Sequence, residues 1–223
     1  MQSPKLNGLL EQLPQEDYER LLPHLECIHL GKGKVLFHAD EPCMYRYFPT
    51  TCIISAQVEL TEGGSAELFL AGDRGLIGIH NVHHRSFYAA VVRKEGFAYR
   101  CPAEVFQSEI RRGQGVFQLM AKITCQLVRE MAQRLVDKTF SSIDQQVAHW
   151  LLNWQMLVRS DHAAVTHTTI ADALGVRREA VTIALNNMAR QGVLSLGRGS
   201  IHILNRKGLL DLAWVDYGSL VRT

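Results

Sequence analysis

The chain has 223 residues, 47% of them hydrophobic and 21% charged, with a formal net charge of +2. That length holds one or two domains with a real core, and the composition excludes both a disordered chain and a basic nucleic-acid coat. No run of 18 apolar residues offers a membrane span, and the polar N-terminus, MQSPKLNGLLEQLPQEDYER, lacks the apolar stretch of a secretory signal, so a cytoplasmic location is expected.

The spacing of Leu9, Leu10, Leu13, Leu21, Leu22 and Leu25 predicts helix over residues 5–30, interrupted at Pro14 and Pro23. From Gly31 the texture changes to short β-type runs between turn signals: 35–37, 45–48, 52–54, 57–60, 66–70, 87–93 and 97–101. Glu62-Gly63-Gly64-Ser65 and Lys94-Glu95-Gly96 read as hairpin connections. Many short antiparallel strands at this spacing predict a small barrel or jelly roll. Pro102 then opens a helix over about 103–110, and the longest helix follows over about 114–137. On it Phe117, Met120, Thr124, Leu127 and Met131 alternate in steps of three and four, the seam of a coiled coil.

Residues 138–142 read as a hinge, after which Ser142 or Asp144 can cap a helix carrying Val147, Trp150, Leu151, Trp154 and Leu157. Next comes VTHTTIADALGVRREAVTIALNNMARQ, residues 165–191. A short helix over 169–174, capped by Thr168 or Thr169, stops at Gly175, and a second helix runs over 178–190. Val181, Ala184, Leu185 and Met188 form its buried stripe, while Arg178, Glu179, Thr182 and Asn186 lie on another face. This is the pattern of a helix-turn-helix, whose second helix enters the DNA major groove. Residues 192–196, Gly197-Arg198-Gly199-Ser200 and 201–204 read as strand, turn and strand, the wing of a winged helix. A last amphipathic helix is expected over about 206–217. From Lys138 onward nine Lys and Arg face six Asp and Glu, an excess too small to argue for DNA by charge alone.

In this order the parts resemble the CRP/FNR family of bacterial transcription regulators, most strongly over Leu174-Gly175-Val176-Arg177-Arg178-Glu179-x-Val181-Thr182 and more weakly at Gly72-Asp73, Ile77-Gly78 and the strand 89–93. The resemblance implies an α+β chain: an N-terminal cyclic-nucleotide-binding-like β-roll (jelly roll) over 1–112, a long dimerisation helix over 113–137, and a C-terminal winged helix-turn-helix over 138–223. It implies a homodimer on a two-fold-symmetric site in double-stranded DNA, with RNA polymerase a candidate further partner. Arg178 and Glu179 match the Arg-Glu pair at the start of the family's recognition helix. Physically, Arg can grip guanine O6 and N7, and Glu can accept from cytosine N4. Where cyclic-AMP members place another Arg this chain has Ile183, so Thr182 and Asn186 are expected to share base reading. Thr168, Arg177 and Arg198 are expected at phosphates, which position the protein without reading sequence.

Cyclic-nucleotide members carry a Glu after an Ile-Gly pair and an Arg-Ser or Arg-Thr further on. Here the first position is Ile79 and the second Tyr88-Ala89, with Arg85-Ser86 three residues earlier. Burying a phosphate without a cation is costly, so cyclic-AMP binding in the usual mode is not expected, and no cofactor is predicted. His80, His83 and His84 are the remaining metal or haem candidates, without a fixed partner pattern. The cysteines at 27, 43, 52, 101 and 125 form no Cys-x-x-Cys pair and are expected to be free thiols. The alternative reading, a ligand-binding or metal-dependent β-roll enzyme with the winged helix used for protein contacts, lacks matched catalytic carboxylates, and no enzyme is expected.

Overall fold

The computed structural model describes residues 3–59, 64–79 and 85–213. The chain folds as two compact units, Met1–Met131 and Ala132–Thr223.

In the first unit α1 (Gly8–Glu11) and α2 (Gln15–Leu21) precede seven strands: β1 (Glu26–Leu30), β2 (Val35–Phe37), β3 (Tyr45–Pro49), β4 (Ile53–Glu59), β5 (Ser65–Ala71), β6 (Ala89–Lys94) and β7 (Gly96–Pro102). They make two antiparallel sheets, ordered β1-β7-β3 and β2-β6-β4-β5. Two expectations are corrected here. Residues 26–30 are a strand rather than the end of a helix, because the main chain after Pro23 pairs along β7, Glu26 to Arg100 through Leu30 to Gly96. The expected runs 52–54 and 57–60 are not separate: residues 53–59 form one strand, β4, whose Ser55 and Ala56 pair on both sides, and residue 60 lies outside the described residues.

The core of this unit joins Ile54, Ala56, Phe69, Ala90 and Val92 from one sheet to Leu30, Phe48, Tyr99 and Cys101 from the other, with Tyr88, just before β6, between them. After α3 (Ala103–Arg112) comes α4 (Gln114–Phe140), which adds Val116, Leu119, Ile123 and Leu127 to that core. Burial of four large aliphatic side chains, at ~1.5–3 kcal/mol each, fixes which face of α4 meets the β-roll.

The last turns of α4 belong to the second unit. The helix continues to Phe140, three residues into the expected break at 138–142, and Lys138 and Asp137 have partners in this unit. Lys138 Nζ donates to the Leu174 carbonyl at 2.6 Å, and Asp137 holds His149 Nδ1 at 2.8 Å. The break is confined to Ser141-Ser142, and Ser142 starts α5 (Ile143–Val158) with a reciprocal capping box to Gln145. Trp150 and Trp154 of α5 stack at 5.3 Å in the core of this unit. It is completed by β8 (His162–Ala163), α6 (His167–Leu174), α7 (Arg178–Arg190), β9 (Leu194–Gly197), β10 (Ser200–Ile203) and α8 (Arg206–Ala213). The expected extension of α8 to residue 217 lies outside the described residues.

Candidate nucleic-acid interface

The turn between α6 and α7 is set by Gly175. Its φ of +60° is left-handed, and its amide donates to the carbonyls of Ala171 and Asp172, closing α6. The amide of Val176 also returns to the Ala171 carbonyl, at 3.1 Å. The other end of α6 differs from expectation. Thr166, not Thr168 or Thr169, is the cap: its hydroxyl accepts from the Thr169 amide at 3.1 Å, so the helix starts at His167. Thr168 is left in the first turn with an exposed side chain.

Four side chains of α7, Val181, Ala184, Leu185 and Met188, are fully buried, as the 3.6-residue period requires. Asn187 Nδ2 adds a hydrogen bond to Asp144 of α5 at 3.2 Å. With that face fixed, Arg178, Glu179, Ile183 and Asn186 point away from the core and are exposed, and Arg177 stands exposed just before the helix. The structure therefore brings Arg178, Glu179 and Asn186 onto one helix surface. Thr182 is different. Its hydroxyl donates to the Arg178 carbonyl at 3.0 Å and lies 2.9 Å from His167 Nδ1. With the hydroxyl proton on Arg178, the oxygen acts as acceptor for an Nδ1–H of His167. Burial, then the charge of Arg178, pull the His167 pKa below its ordinary value. His167 was not among the residues picked out in the sequence; its place opposite Thr182 depends on the crossing of two helices.

The wing is β9 and β10, paired from Leu194 with Ile203 to Gly197 with Ser200, and Arg198 sits exposed at its tip. The short strand β8 pairs on the other edge of β10, which the sequence pattern did not show.

A model of the Crp-like helix-turn-helix domain matches residues 145–212. The match covers α5 to α8 of the C-terminal unit, so this segment is similar to a Crp-like helix-turn-helix. Within the chain, 48 residues are 44% identical to the transcriptional regulator SdrP of Thermus thermophilus, an alignment spanning 22% of this chain and 24% of that protein. Among solved structures, FixK2 from Bradyrhizobium japonicum superposes with a TM-score of 0.75 at 20% identity, over 86% of this chain and 98% of that one. A CRP/FNR-family transcriptional regulator from Thermus thermophilus does so with a TM-score of 0.71 at 22% identity, over 84% and 98%. The chain thus shares the fold of these solved structures, a β-roll and a long helix ahead of a winged helix-turn-helix.

The β-roll places the residues around the Ile77-Gly78 pair as follows. Tyr88 is fully buried, and its hydroxyl accepts from the Gly78 amide at 3.0 Å. The rings of Phe37 and Phe69 lie 5.6 and 5.8 Å from that of Tyr88. Gly78 has φ +90°, and a Cβ there would fall 2.8 Å from Cys43 Sγ and from the Tyr45 carbonyl. Ile79 packs partly buried against the same core. Arg85 is exposed and donates to the Asp40 carbonyl at 2.9 Å, while Ser86 Oγ donates to the Tyr88 carbonyl at 2.6 Å. Cys43, Cys52 and Cys101 are buried, and burial pushes the thiols of Cys52 and Cys101 up to about 12. His80, His83 and His84 lie outside the described residues. Among the described residues no cluster of three His, Cys, Asp or Glu side chains is placed to hold a metal ion, and no helix is long and apolar enough to cross a membrane.

On α4 the expected seam divides. Leu127 is buried in the core of its own domain, and Met120 and Met131 pack against that core, whereas Phe117 and Thr124 are exposed. The division has a simple cause. Two apolar stripes share this helix, and the inner one, Val116, Leu119, Ile123 and Leu127, meets the β-roll. The outer stripe is Phe117, Ala121, Thr124 and Val128, in steps of four, three and four, with Phe117 and Val128 more than half exposed.

Proposed function

We propose that the protein is a homodimeric, sequence-specific DNA-binding transcription regulator that does not answer to cyclic AMP. The observation that carries this reading is α7. Its apolar face is consumed by the domain core, and Arg178 and Glu179 are turned outward in its first turn, where recognition helices meet base edges, with Asn186 two turns further on the same surface. Arg178 reads guanine and Glu179 cytosine; Arg177, Thr168 and the wing-tip Arg198 hold phosphates. The outer stripe of α4 supports pairing with a second copy, since its steps of four and three match a coiled-coil seam and it has large apolar side chains in water. A two-fold dimer calls for a two-fold-symmetric site with half-sites about one helical turn, ~34 Å, apart. The protein acts in the cytoplasm, where RNA polymerase is its further partner at promoters.

The absence of a cyclic-AMP response is supported by Tyr88. Its ring fills the space beside Ile77-Gly78, and its hydroxyl takes the Gly78 amide. Neither Arg85 nor Ser86 is directed to that place: one bonds the main chain of Asp40, the other that of Tyr88.

The test is an operator isolated by selecting bound genomic fragments. Arg178→Ala is expected to weaken binding to it by about 1–3 kcal/mol, with a much smaller change on random DNA. A wild-type protein that binds selected and random fragments equally would remove the reading. Cyclic AMP is expected to leave operator affinity unchanged; micromolar binding with rising DNA affinity would overturn that part alone.

A further inference from the structure

The outward face of α7 holds one apolar side chain among polar ones. Glu179, Ile183, Asn186 and Arg190 recur in steps of four, three and four, opposite the buried stripe. Ile183 stands in the middle of that row and is 61% exposed. A β-branched residue there does little for the helix, since it forms helix less readily than the straight-chain polar residues. It also leaves aliphatic surface in water. Its neighbour Thr182 does not make up for the missing polarity, because its hydroxyl is engaged by the Arg178 carbonyl and by His167. Between Glu179 and Asn186 the reading surface therefore presents carbon rather than hydrogen-bonding groups.

We propose that Ile183 reads the C5-methyl of a thymine, and that each half-site carries a T·A pair beside the pair met by Glu179. In the major groove the thymine methyl is the apolar feature a base pair offers, and an aliphatic side chain is its complement. The step of four residues from Glu179 to Ile183 is about 6 Å along the helix, against a base-pair rise of about 3.4 Å. The methyl thus belongs one or two pairs along from that of Glu179. A G·C pair at the same place would set the cytosine amino group against a side chain that cannot accept from it, leaving a desolvated donor. The assignment rests on α7 being the DNA reader and adds the base chemistry of its middle position.

Deoxyuridine substitution tests this without changing any hydrogen bond. In the selected operator each thymine is replaced in turn by deoxyuridine, and the full-length protein is titrated against each duplex. At one position per half-site, loss of the methyl is expected to weaken wild-type binding about fourfold, the worth of one buried methyl. Ile183→Ala, a change at an exposed position, is expected to bind thymine and uracil equally at that position and to keep its dependence on Arg178. If wild type and Ile183→Ala lose the same factor at every uracil, or if no uracil weakens the wild type, Ile183 is not the reader, and DNA recognition by Arg178 stands. Equal binding of wild type to selected and random DNA would instead remove the DNA-reading premise, and this assignment with it.

Discussion

In the β-roll, Tyr88 directs its hydroxyl to the amide of Gly78 and Arg85 gives its guanidinium to the main chain of Asp40; on α7, Arg178, Glu179 and Asn186 stand in solvent. The first arrangement satisfies these polar groups from within the fold. The second leaves charged and amide groups on a helix whose other face is fully packed. A partner with complementary groups can then bind without first breaking internal bonds, which is the physical meaning of a preorganised surface. Residues of similar chemistry thus have different standing in the two domains, according to whether the fold has already given them a task.

The contrast breaks most severely if Tyr88 is dispensable. Tyr88→Ala is expected to destabilise the N-terminal unit by about 3–5 kcal/mol, through the cavity left by a buried ring. It also strands the Gly78 amide. Tyr88→Phe keeps the ring and removes the hydroxyl, with an expected loss of about 1–3 kcal/mol for the unsatisfied donor. Urea unfolding of each variant measures both. A Tyr88→Ala protein of wild-type stability would mean that the space beside Gly78 is not held by this side chain, and the closed description of the β-roll would fail.

Much of this was legible beforehand, for reasons visible in particular residues. The buried stripe of α7 and the αL stop at Gly175 follow from period and local chemistry and stand in the structure, and of the two caps open to α5, Ser142 and Asp144, the structure selects Ser142. The cap of α6 was misplaced because Thr166, Thr168 and Thr169 all have capping chemistry, and only the chain path selects Thr166. The strand Glu26–Leu30 was hidden by leucines before it and is defined by its pairing with β7. On α4 two apolar stripes interleave, so a spacing of three and four fits either; which one is inner depends on the β-roll. At the candidate site, exposure of Arg178, Glu179 and Asn186 followed from the helix period. The engagement of Thr182 by His167 did not, because it joins two helices across fifteen residues.

A smaller effect is expected at the turn that aims α7. Gly175 adopts φ +60°, where a Cβ meets the following carbonyl. Gly175→Ala is expected to cost about 1–2 kcal/mol. The loss should be confined to the C-terminal unit, because Gly175 interacts there with Ala171, Asp172 and Lys138. Tryptophan fluorescence, which reports on the C-terminal unit because all three tryptophans follow residue 131, should show the shift in thermal midpoint, while the β-roll transition, followed by calorimetry, stays in place. Equal movement of both transitions would mean that the two units unfold as one.

The smallest expected effect comes from His167, which sits between the two kinds of residue, half-buried and bonded inward to Thr182 yet close to Arg178 on the open face. Burial and the Arg178 charge both lower its pKa, so the folded state binds this proton less readily than the unfolded chain does. Above the ordinary histidine value of about 6.5 the ring is neutral in both states and has no effect on the pH dependence. As pH falls through that value the unfolded chain takes up the proton first, and stability is lost until the folded pKa is passed. Wild-type protein is therefore expected to lose more stability than His167→Gln between pH 7.5 and 5.5, measured as the difference in the thermal midpoint of the C-terminal transition. DNA phosphate near Arg178 would offset the charge that holds the proton off, so the difference should shrink when operator is bound. A His167→Gln variant with the same pH slope as wild type, with and without DNA, would show that the Thr182 bond is indifferent to the charge of this ring.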